Sequence, residues 1–135
     1  GDVELDRRLG KLRLAVDPTP ILDEAGAILL NRLRTRFLDE TDPAGKKWKT
    51  SRAARKRARN GRGGGTLFDT GRLYQSIQLS REGDNGRKIG TDVPYASFVN
   101  FGTVNLPPRV FLGFSPEDVS LVVKLIILRI EKAVL

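Results

Sequence analysis

Phe68-Asp69-Thr70-Gly71 is the spacing in this chain most able to do chemistry. An Asp-Thr-Gly turn can hold paired aspartates that share a proton and activate a water, and a homodimer would supply the pair from one short chain. Three neighbouring features argue against hydrolysis. The preceding segment is glycine-rich rather than strand-forming, Arg72 stands where such a catalytic turn has a small residue, and no later apolar pair before a glycine completes the arrangement. Asp69 or Thr70 has a simpler use, as the cap of a short helix starting near Gly71. Gly61 to Thr66 suggests a phosphate-cradling loop, but no Gly-Lys-Ser/Thr follows it and no strand precedes it, so it reads as a hinge. Histidine and cysteine are absent, which removes histidine bases, catalytic triads, thiolate chemistry and the usual zinc sites. The carboxylates show no metal-binding or glycosidase spacing. No catalytic, metal-binding or cofactor-binding residue is expected, and the chain does not read as an enzyme. An aspartic protease is kept only as a distant alternative.

The second candidate is a run of charge. Lys46, Lys47, Lys49, Arg52, Arg55, Lys56, Arg57, Arg59 and Arg62 follow one another with no acid among them, and Trp48 is the only large apolar residue in the stretch. The chain carries +8 overall; setting those nine cations aside from 24 leaves 15 against 16 acids, a net charge of −1. The cationic segment therefore sits on a nearly neutral domain. It could neutralise several DNA phosphates without reading sequence, since Trp48 alone offers stacking. Docking on an acidic protein surface is weighed slightly above DNA.

The elements around these residues follow from periodicity. Leu5, Leu9, Leu12 and Val16 recur at helical steps, so residues 3–16 read as an amphipathic helix stopped at Asp17-Pro18. A second helix runs from Pro20 to about Leu38, with Thr19 as its cap and Leu22, Ala25, Leu29, Leu33 and Phe37 along one face. Residues 46–65 read as a solvated, glycine-ended loop insertion, although the Ser51–Arg59 stretch has good helix formers for a partner to order. Ile77, Leu79 and the Gly83–Gly86 turn suggest a hairpin returning to Thr91. Val93-Pro94 starts a short helix, with Tyr95, Phe98, Val99 and Phe101 assigned to the core and Gly102 to a left-handed cap. Pro107-Pro108 is stiff, and residues 110–114 form a buried strand or coil. Ser115-Pro116-Glu117-Asp118 is the strongest helix start, joining a capping serine, a first-turn proline and two acids. The helix after it is apolar on nearly every side, more than one small domain covers, so packing on a neighbouring subunit is expected.

At 135 residues, 39% apolar and 30% charged, the chain fits one domain, residues 1–135. No apolar run is long enough to span a membrane, and no signal peptide is expected at the N-terminus.

The order of local motifs resembles the phage virion morphogenesis family, the Mu-like and P2-like tail completion proteins. The landmarks are Pro43 and Gly45 before Lys47-Trp48, then Leu67, Thr70-Gly71-Arg72-Leu73 and Ser76-Ile77. Ile89-Gly90-Thr91, Tyr95-Ala96 with Phe101-Gly102, and Pro107-Pro108-Arg109 before Phe111-Leu112-Gly113 complete them. Where relatives often have His-Gln before the Phe-Gly, this chain has Val99-Asn100. The resemblance implies a non-enzymatic structural protein of the neck or head-proximal tail end, a tail terminator or head–tail connector. Such proteins work as rings, often hexameric, beside other neck and tail proteins in the virion, after assembly in the host cytoplasm. A minor tail or baseplate component and a DNA-binding accessory protein, contacting packaged DNA through the basic loop, are the alternatives. The expected fold is α+β, a small antiparallel sheet packed by helices from both ends. Subunit contacts are expected at Arg109, Val122, Val123, Leu125, Ile126 and Ile127.

Overall fold

A computed structural model describes Val3, residues 17–67 and residues 71–134. Apart from Val3, the helix expected over residues 3–16 lies outside these, as does the cap expected at Asp69 or Thr70. The described residues form five helices and one two-stranded antiparallel sheet, an α+β fold. The helices are α1 (Pro18–Asp39), α2 (Arg52–Arg59), α3 (Arg72–Ser76), α4 (Ala96–Phe101) and α5 (Pro116–Val134), and strands β1 (Gln78–Glu82) and β2 (Gly86–Gly90) lie between α3 and α4.

Helix α1 is the spine. It starts two residues earlier than periodicity suggests, because the Asp17 carboxylate, not Thr19, takes the first free amide: Thr19 N donates to Asp17 Oδ1 at 3.0 Å. Ala25, Leu33 and Phe37 are buried along it as expected, whereas Leu22 and Leu29 are half-buried. The β1–β2 hairpin packs on α1 with Leu79 opposite Ile89. Gly26 makes this approach possible, since a Cβ there would meet the Leu79 methyl carbons at 2.7 and 2.9 Å. Arg87 ties β2 to the first turns of α1, its Nε donating to Asp23 Oδ1 at 2.7 Å.

Phe37 is the centre of the core. Its ring meets Trp48 and Phe111 edge-on, at centroid distances of 5.5 and 5.7 Å, and Tyr74 at 5.5 Å. Leu33, Leu73, Ile77, Val93 and Ala96 close around this cluster.

Helix α4 corrects one expectation. Ala96 and Asn100 are buried and Val99 packs on the core, so the opposite face carries Tyr95, Phe98 and Phe101 outward, 40%, 59% and 77% exposed. The helical phase is set by Asn100, whose buried side-chain oxygen accepts from the Phe111 and Leu112 amides, both at 3.0 Å. Those two bonds serve the 110–114 segment in place of a strand partner, and that segment is coil.

Gly102, expected in a left-handed cap, instead has φ 75° and ψ 177°, a region open almost only to glycine. A Cβ there would also meet Pro108 N at 2.7 Å and Leu106 O at 2.8 Å, both backbone atoms. Gly102→Ala is therefore expected to cost at least about 2 kcal/mol, lowering Tm by about 8 °C in a thermal denaturation curve.

Candidate functional site

The cationic segment is built rather than loose. After α1, Glu40 adopts φ 59° and the chain turns through Asp42–Gly45, closed by Lys46 N donating to Asp42 Oδ1 at 2.8 Å. Trp48 follows with its backbone N–H on Glu40 O at 2.7 Å, its indole N–H on Val110 O at 3.0 Å and its ring in the core, 8% exposed. That burial removes it from the set of surface contacts.

Ser51 then caps α2, its Oγ accepting from Ala54 N at 3.0 Å. Ala54 is buried, and Arg57 turns inward to donate to Gly65 O at 2.6 Å. The Glu40 carboxylate accepts from Thr66 N and so fixes the end of the glycine-rich stretch. Arg52, Arg55, Lys56 and Arg59, at positions i, i+3, i+4 and i+7, share the opposite, exposed face. None of these four forms an ion pair with a described carboxylate. An open cleft beside them is lined by Lys49, Arg52, Arg55, Leu106 and Pro107. Lys46, Lys47, Lys49 and Arg62 are exposed around the helix, and Lys47 Nζ donates to Asp39 O at 2.7 Å. A solvated loop expected from composition is thus a capped helix held at both ends.

The expected subunit contacts divide. Arg109 is 9% exposed, its Nε donating to Lys49 O at 2.8 Å, so the side chain is tied to the backbone of its own chain. On α5, Asp118 and Arg129 both reach α1, and Val122 and Leu125 lie on the same stripe between them, half-buried with Ile126 beside them. Val123 and Ile127 are outward, with Phe114, Val119, Leu121 and Leu128, at exposures from 42% to 62%.

Asp118 is the group that sequence reasoning undervalued. Its carboxylate is fully buried, accepting from Arg32 Nε, Arg36 Nη2 and Ser115 N. Its own N–H returns to Ser115 Oγ at 3.1 Å, completing a reciprocal capping box. Burial opposes ionisation of Asp118, but hydrogen bonds from Arg32, the Ser115 N–H and Arg36 together outweigh it and hold the carboxyl below its ordinary value. The available signal was Arg32 and Arg36, one helical turn apart on α1. At the far end, Arg129 donates twice to Glu24, at 2.7 and 2.9 Å, and lowers its pKa against a smaller effect of burial.

The model of the phage virion morphogenesis family matches residues 2–131. The chain belongs to that family. No curated protein and no solved structure matches it. Membership of the phage virion morphogenesis family points to a role in phage virion assembly. Among the described residues no helix is long and apolar enough to cross a membrane.

Proposed function

We propose that the chain is a non-enzymatic structural protein of the phage neck or head-proximal tail end, where copies join in a ring that completes the tail or couples it to the head. The observation that carries this reading is the outer surface of α5. Val119, Leu121, Val123, Ile127 and Leu128 leave one 19-residue helix apolar on both flanks of its solvent side, with Phe114 exposed just before it, an arrangement that fits a protein interface better than an isolated monomer. A ring also needs a second, different surface on each subunit. Phe98, Phe101 and Val104 supply an exposed apolar one on another element.

Light scattering on the purified chain and labelling of intact particles test the reading together. Val123→Glu and Ile127→Glu are expected to leave the monomer's melting unchanged, because both positions are exposed. Each should weaken self-association by at least about 100-fold, since burying an unpaired carboxylate costs several kcal/mol. A wild-type chain that stays monomeric and never enters particles would overturn the proposal.

A further inference from the structure

We infer that the outward face of α2 binds the phosphate backbone of double-stranded DNA without reading its sequence. Four observations carry this. Arg52, Arg55, Lys56 and Arg59 lie on one exposed helical face without a described carboxylate partner. The helix is held in place before any partner arrives: Ser51 caps it, Ala54 is buried beneath it and Arg57 clamps Gly65 O. Little ordering entropy is then left to lose on binding. Arg52 and Arg55 also line the cleft that continues to Lys49, so the positive surface extends past the helix.

The fourth observation concerns what is missing from that face. Apart from its cations, α2 contributes only alanines, and Ala54 is buried. Protein interfaces are energetically centred on aromatic or other well-packed anchors inside a polar rim, whereas a polyanion asks only for charge. Eight residues of helix cover about 12 Å, the axial rise of roughly three to four phosphates of one strand. With Trp48 in the core, the segment has no ring for stacking on bases. The match is to a regular phosphate array and not to an acidic protein patch. DNA contact through α2 is also independent of whether the subunits form a ring.

The test is binding of the full chain to a short duplex of arbitrary sequence, followed by fluorescence anisotropy across a salt series. Four counterions released at α2 contribute about −3.6 to the slope of log K against log salt, a loss of about 150-fold in affinity between about 50 and about 200 mM salt. The combined substitutions Arg52→Gln, Arg55→Gln, Lys56→Gln and Arg59→Gln should remove that share of the slope, about 0.9 for each cation, leaving only what Lys49 contributes, with circular dichroism and melting unchanged. Should the combined variant fail to fold, Lys56→Gln and Arg59→Gln alone should each reduce the slope by about one. A second duplex of different sequence is expected to bind equally well. No binding at low salt, a slope unchanged by the substitutions, or tighter binding of polyglutamate than of duplex at equal charge concentration would each overturn the proposal.

Discussion

Asp118→Ala is expected to destabilise the chain by about 3 kcal/mol, at the lower end of the range for breaking a buried ion pair. The carboxylate is fully buried and joins three partners at once, Arg32 and Arg36 of α1 and the N–H of Ser115, the residue that caps α5. Removing it leaves two guanidinium groups and the Ser115 N–H without their acceptor. The cost stays at the lower end because Arg32 is 36% exposed in its side chain and Arg36 16%. Both border an open cleft with Pro43, Ala44 and Gly45, where they can regain water. Asp118→Asn keeps an acceptor for Ser115 N and loses the charge, so a smaller loss is expected.

The same pair of proteins gives a pH test with a definite sign. The Asp118 carboxyl is held below its ordinary value. Its contribution is therefore complete above the unfolded value of about 3.9 and is lost as pH falls through the lower, folded one. Glu24 and Asp17 are shifted in the same direction, so acid weakens the wild type through several groups. The Asp118→Asn difference isolates one of them. The gap in melting temperature between wild type and Asp118→Asn should be constant above about pH 5 and narrow below pH ~4. A gap that persisted unchanged into strong acid would show that Asp118 is not ionised in the fold.

Residues whose partners are near in sequence were legible before the structure. The start of α5 needs only Ser115, Pro116 and Asp118, and the hairpin needs only a glycine-bounded turn between two short strands; both stand where they were expected. Residues whose role depends on a distant partner were not. Arg32 and Asp118 are 86 positions apart, and nothing local to either names the other. Helix α4 failed for a related reason. Residue type placed Tyr95, Phe98 and Phe101 inside, but the phase of a six-residue helix was decided by Asn100 hooking amides eleven and twelve residues away. The cationic segment shows both cases at once. Its helix-forming residues and capping serine were visible, while Ala54, Arg57 and Glu40 had to meet the fold before the stretch could be recognised as ordered. The α5 surface was legible as an excess of apolar residues, but which of them face outward depended on where Asp118 and Arg129 fasten the helix.

Trp48→Ala carries the largest expected effect among apolar positions, a loss of about 3–5 kcal/mol, or more than about 10 °C in Tm. The indole fills the space between α1 and the coil after Pro108, edge-on to Phe37 and bonded to Val110 O at 3.0 Å. Deleting it opens a cavity against the ring that also holds Tyr74 and Phe111. It also strips the Val110 carbonyl of its donor. Trp48→Phe separates the two losses, since it keeps an aromatic ring and forfeits only the indole volume and the N–H; about 1–3 kcal/mol is expected from the orphaned carbonyl. As the chain has a single tryptophan, its fluorescence reports this site alone. The emission should be blue-shifted in the native state and move red in one transition coincident with loss of helix by circular dichroism. Duplex binding and its salt slope are expected to be the same for Trp48→Phe and wild type, because the ring is packed inside and has no free face for a base. A folded Trp48→Phe protein that lost DNA affinity would return Trp48 to the binding surface and replace a backbone-only contact with one that stacks.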